Sequence, residues 1–298
     1  MPATSANGIS LEYEILGNPD HPVILLIMGL GMQLVAWPDA FCEQLAARGF
    51  CVIRFDNRDV GLSTSFDASG VPNLLATYLK FFVHLPLTAP YLIDDMAADT
   101  AALLDALGIE RAHVVGASMG GMIAQNLAAQ HPARVLSLTS MMSTTGRRSL
   151  PGPTIKARAA LMHPPAHPGD IEGAVARMMN VFRAIGSPGY PEDESVLRQF
   201  CERHVRRAYQ PAGTARQMLA IAASGYRTEV IRTIRAPTLV LHGAADPLVP
   251  PPCGEETARV IPNAKLKMIE GMGHDVPSAL HTRLADEIVA HCRGIRPQ

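Results

Sequence analysis

Val114-Val115-Gly116-Ala117-Ser118-Met119-Gly120-Gly121 reads as a strand running into a tight turn and then a helix. Gly116, Ser118 and Gly120 fit the spacing G-x-S-x-G, which sets a serine on a strained strand-to-helix elbow. A nucleophile at the tip of such a turn is crowded from both sides. Glycine two residues before and two after removes the side chains that would clash. The helix that follows, residues 119–130, aims its positive N-terminal end at the same spot.

The neighbouring sequence continues this pattern outward. Residues 23–28 and 51–55 are apolar runs of strand length, suited to parallel strands buried on both faces. Residues 38–49 and 94–107 read as the helices between them. Met96, Thr100, Leu103, Leu104 and Leu107 share one face of the second helix, and Gly108 closes it. Residues 135–141 supply another strand. Strands alternating with helices imply right-handed crossovers and a mostly parallel central sheet with helices on both faces. Residues 9–16 alternate as an exposed strand does.

The alternation stops after Met142. Residues 145–232 show no clear buried strand, but helical composition at 171–185, 193–209 and 212–223. They hold 13 Lys/Arg against 7 Asp/Glu, whereas the whole chain has a net charge of −1. This segment is expected to be an inserted helical cap, with residues 1–144 and 233–298 as the core. Its excess cations suit pairing with the acidic core, or a preference for anionic or electron-rich substrates. Strand and helix then resume: a strand at 238–241, a helix at 253–260, a strand at 265–269 and a terminal helix at 280–292.

Composition bounds the function. A chain of 298 residues, 48% hydrophobic and 18% charged, is long enough for one large α/β domain with an insertion. Its near-zero net charge gives no reason to expect nucleic-acid binding. Five scattered cysteines (Cys42, Cys51, Cys201, Cys253, Cys292) contain no C-x-x-C pair, which fits reduced thiols in a cytoplasmic protein and neither a disulfide frame nor a metal site. Residues 1–8 lack the regions of a secretory signal, and no apolar run is long enough to span a bilayer. Residues 79–93 are the most apolar and aromatic stretch, interrupted by His84, Pro86 and Pro90. The 74–91 region, with the cap, is expected to wall a pocket; Phe81-Phe82-Val83 could instead mediate association or contact a membrane surface.

A serine hydroxyl is a weak nucleophile at neutral pH. It needs a base within hydrogen-bond reach, and the base needs a group that fixes its tautomer. Ser118, Asp246 and His274 supply that set in the order Ser, Asp, His, each just after an expected strand, where loops gather at one edge of a parallel sheet. His242, inside a strand end, is the rival base and reads as structural. Asp275 is the rival acid, but a residue adjacent to His274 is poorly placed to orient that imidazole. His281 and His291 fall in the terminal helix as surface or packing residues. The oxyanion needs backbone donors: the N–H of Met119, and one from Met28-Gly29-Leu30-Gly31, with Leu30 first and Gly29 second.

These motifs together resemble the α/β-hydrolase superfamily over about residues 9–144 and 233–298. The markers are Gly116-Ala117-Ser118-Met119-Gly120-Gly121, Asp56-Asn57-Arg58-Asp59-Val60-Gly61-Leu62-Ser63, His242-Gly243-Ala244-Ala245-Asp246 and Gly271-Met272-Gly273-His274. Ile27-Met28-Gly29-Leu30-Gly31 followed by Trp37-Pro38 is similar to the anthracycline (aclacinomycin) methylesterases and related bacterial serine carboxylesterases. Met28 and Gly31 stand where many relatives have the His and Pro of His-Gly-x-Pro. The resemblance implies an α/β-hydrolase fold in which Arg58 and Asp59 are structural. It also implies a carboxylic-ester hydrolase working without cofactor or metal on a small-molecule ester, as a monomer or homodimer. Acyltransferases, lactonases and cofactor-free haloperoxidase-like members share the Ser-Asp-His set, and a non-catalytic ligand-binding protein is the reading from another class. Serine at 118 argues against the epoxide hydrolases and dehalogenases, which use aspartate.

Overall fold

The computed structural model describes residues 2–167 and 169–295. In chain order its elements are β1 (Ala3–Ala6), β2 (Ile9–Leu16), β3 (Val23–Ile27), α1 (Asp39–Ala47), β4 (Cys51–Phe55), α2 (Leu74–Phe82), α3 (Ile93–Ala106), β5 (Ala112–Ala117), α4 (Met119–Gln130) and β6 (Val135–Met141). There follow α5 (Ile155–Met162), α6 (Ile171–Ile185), α7 (Glu194–Arg207), α8 (Pro211–Ser224), α9 (Thr228–Ile231), β7 (Thr238–Gly243), α10 (Pro251–Val260), β8 (Lys265–Ile269) and α11 (His281–Arg293). The eight strands form one sheet in the order β1-β2-β4-β3-β5-β6-β7-β8. Only the β1–β2 and β2–β4 pairs are antiparallel. The expected parallel sheet with helices on both faces is present.

Strand side chains alternate between two cores. Leu25, Ile27, Ile53, Phe55 and Val114 enter one cluster with α3 and α4. Ile24, Leu26, Val52, Val115 and Ala117 enter the other with α1 and α11. A strand buried on both faces has no room for a polar side, which is why these segments read as continuous apolar runs. From β3 the chain goes to β4 on one flank, then crosses back through α3 to β5 on the other. The crevice between the carboxyl ends of β3 and β5 is therefore the topological switch point, where open α/β sheets bind ligands.

Two elements depart from expectation. β1 pairs with β2 as a four-residue edge strand, too short and too small-residued to show an alternating pattern. α2 does not form a buried wall: none of its residues is buried, and Phe82 is 70% exposed. Only the end of that region turns inward. Tyr91 is buried and its hydroxyl donates to Asp59 Oδ2 at 2.6 Å.

Between β6 and β7 the described residues form the helices α5–α9 and no strand. α6 and α7 share a small core of their own, made of Ala174, Val175, Met179, Cys201 and Val205. The surplus cations of this stretch mostly meet acids of the rest of the chain. Arg203 pairs with Asp39, Arg207 with Asp56 and Arg216 with Asp59, each at 2.7 Å, and Arg147 with Glu256 at 3.0 Å. Pairing across the two parts accounts for the charge contrast.

Candidate active site

Ser118 closes β5 and caps α4 with φ 57° and ψ −120°, a conformation a non-glycine residue adopts only under strain. The turn is tight enough to exclude neighbouring side chains. A Cβ on Gly116 would fall 2.1 Å from the Gly120 carbonyl oxygen, and one on Gly120 would fall 2.0 Å from that of Ile27. The serine is half-buried. Its backbone is held by Ser118 N–H donating to Met141 O at 2.9 Å and by Ser143 Oγ donating to Ser118 O at 2.8 Å.

His274 lies in the loop after β8 and Asp246 in the loop after β7. His274 Nε2 is 3.0 Å from Ser118 Oγ, and His274 Nδ1 is 2.7 Å from Asp246 Oδ2. Nδ1–H donating to the carboxylate leaves Nε2 as the acceptor for the serine hydroxyl. The other carboxylate oxygen of Asp246 accepts from Leu248 N–H at 2.9 Å and Val249 N–H at 2.8 Å. The loop's own amides thus hold the acid in place. Residues 156 and 28 positions apart converge because their strands end on the same edge of the sheet.

The rivals are placed otherwise. His242 is fully buried, and its Nε2 donates to Val249 O at 2.7 Å. Burial holds its pKa below the ordinary imidazole value, so the ring is neutral. Its Nε2 lies 3.7 Å from Asp246 Oδ2, the oxygen that His274 Nδ1 already holds at 2.7 Å, and the ring packs so closely on Gly254 that a Cβ there would meet Nδ1 at 2.4 Å. Asp275 accepts from Ser187 Oγ, not from the imidazole, and burial pushes its carboxyl above the usual range. His281 and His291 donate to the backbone carbonyls of Val276 and Pro237.

The loop after β3 lies against the serine: a Cβ on Gly29 would be 3.0 Å from Ser118 Cβ. Among the described residues, no hydrogen bond takes up the N–H of Leu30, and Met119 N–H opens α4 with no residue of its own helix to bond. Asn57 Nδ2 donates to Met28 O at 3.0 Å, and Gly31 N–H donates to Gln217 Oε1 at 2.8 Å. These bonds fix the loop on both sides of Leu30. Arg58 and Asp59 hold the frame: Arg58 pairs with Asp99, and Asp59 takes both Arg216 and Tyr91.

Sequence reasoning passed over three supports. Gln217 holds the β3 loop from α8. Ser187, just past α6, accepts from Gly273 N–H at 2.8 Å and donates to Asp275, and the Ile185 carbonyl accepts His274 N–H at 2.8 Å. Ser187 and Ile185 clamp the histidine loop from the helical stretch between β6 and β7. Each acts over 86 or more positions of sequence, so no local spacing signals it. The described residues contain no group of three or more His, Cys, Asp or Glu arranged to hold a metal ion.

With this geometry in hand, the chain can be set beside known proteins. A family model described as "alpha/beta hydrolase fold" matches residues 22–176. The rhodomycin D methylesterase DauP of Streptomyces sp. (strain C5) is 33% identical over 96% of each chain. The rhodomycin D methylesterase DnrP of Streptomyces peucetius is 32% identical over the same shares. The resemblance to anthracycline methylesterases seen in the motifs is borne out by these relatives. Among solved structures, an enol-lactonase from Burkholderia xenovorans LB400 superposes with a TM-score of 0.74 at 24% identity, covering 98% of this chain and 100% of that one. That likeness bears on the fold alone.

Proposed function

This chain belongs to the α/β-hydrolase fold family and is a carboxylic-ester hydrolase, and from that premise we propose that it cleaves its ester through an acyl-enzyme formed on Ser118. The observation that carries the proposal is the continuous chain Ser118 Oγ–His274 Nε2, His274 Nδ1–Asp246 Oδ2, with both contacts within 3.0 Å.

Ser118 Oγ attacks the ester carbonyl carbon while His274 Nε2 takes the hydroxyl proton. Asp246 keeps the imidazole in the required tautomer and stabilises the imidazolium. The N–H groups of Leu30 and Met119 receive the oxyanion of the tetrahedral intermediate. As the carbonyl re-forms, the C–O bond to the alcohol breaks and His274 returns its proton to the departing alkoxide. Water, deprotonated by the same histidine, then attacks the acyl-enzyme; the acid leaves and Ser118 regains its proton. No cofactor or metal enters this scheme. Residues 145–232 act as the cap over residues 1–144 and 233–298, a role supported by the bonds from Gln217, Ile185 and Ser187 to the loops that carry the site. The kinship to rhodomycin D methylesterases supports a methyl ester as substrate, released as methanol and the free acid.

The test is hydrolysis of a chromogenic ester series from acetate to dodecanoate, beside methyl esters of aromatic acids, by wild type and Ser118→Ala. Turnover that falls by roughly 10⁴-fold or more in the variant is expected. Equal rates in both would remove Ser118 from the chemistry. Product partitioning toward an added alcohol over water would make the enzyme an acyltransferase.

A further inference from the structure

α2 is inverted with respect to an ordinary surface helix. Leu75, Tyr78, Leu79 and Phe82 stand at i, i+3, i+4 and i+7, the spacing of one helical stripe, and that stripe faces solvent with 45–70% exposure. The half-buried side, with Leu74, Ala76 and Thr77, rests on α8. Val71 precedes the stripe and Val83 and Leu85 extend it, all more than half exposed. A continuous apolar face of this kind on a globular surface marks a contact site.

The charges around it identify the partner. From Ala68 to Ile93 the chain has no acidic residue, and Lys80 lies within α2. Arg148 sits over the Phe81 ring, its Cζ 4.9 Å from the centroid. The same arginine lines a shallow cleft of about 640 Å³ with Tyr226 and Thr228, in which Arg147 and Arg232 are paired with Glu256 and Glu229. The apolar stripe is thus bordered by Lys80, Arg148 and the Phe81 ring. A twofold copy of the chain would set this face against itself, Lys80 and Arg148 meeting their own kind with no acid from 68–93 to match them. An anionic phospholipid surface supplies the countercharge, the apolar boundary for Leu79 and Phe82, and the interfacial level that suits Tyr78.

We propose that the face formed by α2 and residues 83–85 docks the enzyme on anionic phospholipid bilayers, lying in the interface without crossing it. Among the described residues no helix is long and apolar enough to cross a membrane. The docking does not depend on the triad, so Ser118→Ala should bind vesicles as wild type does.

Cosedimentation with vesicles of phosphatidylcholine alone and of phosphatidylcholine mixed with phosphatidylglycerol tests this. Wild type should partition onto the mixed vesicles, less at high salt. Leu79→Ser with Phe82→Ser should weaken partitioning by about tenfold or more, and Arg148→Glu by a smaller, salt-sensitive factor. Absence of binding, or binding that survives both variants, overturns the proposal. So does a wild-type dimer in sedimentation that the double serine variant dissociates while neither form binds vesicles; the face would then belong to a second copy. Thermal melting of each variant checks the fold.

Discussion

α4 and α2 are both short apolar helices, MGGMIAQNLAAQ and LLATYLKFF, and neither carries an acid in its first turn. Ten of the twelve residues of α4 are buried, Gln125 and Asn126 among them; of the nine in α2, none is. The difference lies in what each is connected to. α4 is the crossover between adjacent parallel strands β5 and β6, and Gly120 lets its first turn touch the β3 backbone. Its polar side chains find partners inside: Gln125 Nε2 donates to Ser140 Oγ at 3.0 Å, and Asn126 donates to Asp94. α2 hangs on the long connection from β4 to α3, with α8 beneath it and Leu75, Tyr78, Leu79 and Phe82 left facing solvent. Hydrophobicity sets the drive to leave water; topology decides whether a surface is there to receive the side chain.

Substitutions should sort by this contrast, beginning at the end of the molecule that α4 organises. Asp246→Asn keeps the shape of the side chain but favours the wrong imidazole tautomer, and should lower kcat by about 10⁴-fold on a soluble ester. A loss below tenfold would move the orienting role elsewhere. Arg216→Met should cost about 3–5 kcal/mol in urea unfolding, because it removes the cation paired with the fully buried Asp59; a neutral result would mean that the β4 loop relaxes toward solvent. Leu127→Ala in α4 should cost about 2–5 kcal/mol by cavity formation.

The next effect is one of pH. Burial lowers the pKa values of His113 and His204 from 6.5 to about 4. Both are therefore neutral in the folded protein between those values, while the unfolded chain takes up protons. Stability is accordingly full above about pH 6.5, declines as pH falls toward 4, and levels below it. His204→Gln should reduce the slope in that window by one proton, read from chemical unfolding at several pH values; an unchanged slope would show that His204 protonates in the folded state. The smallest effect belongs to α2. Phe82→Ser should change stability by no more than about 0.5 kcal/mol. A loss of several kcal/mol would show that this face is covered in solution, and would erase the contrast with α4.

Much of the site was legible in the sequence because its chemistry sits at strand ends. A G-x-S-x-G elbow, an Asp after the 238–241 strand and a His after the 265–269 strand need only a parallel sheet to bring them to one edge. His242 and Asp275 could be ranked below His274 and Asp246 from position alone, and in the structure they bond elsewhere. β1 was missed because four small residues carry no periodicity. The apolar composition of α2 points to a pocket wall, but composition alone does not supply the partner surface that burial needs. Ser187 and Gln217 carry no local signal, since a serine after a helix and a glutamine within one are ordinary until the fold sets them against Gly273 and Gly31.

The sequence by itself determined the alternation of strand and helix, the glycine-flanked strand-to-helix turn at Ser118 and the order of Ser118, Asp246 and His274, because backbone sterics and side-chain burial act locally along the chain. Only the tertiary structure decided that the helical stretch between β6 and β7 clamps the histidine loop, that its arginines pair with the acids of the β4 loop, and that an apolar helix is left facing water. Those outcomes depend on which surfaces long-range packing brings together, and no local pattern of residues encodes that.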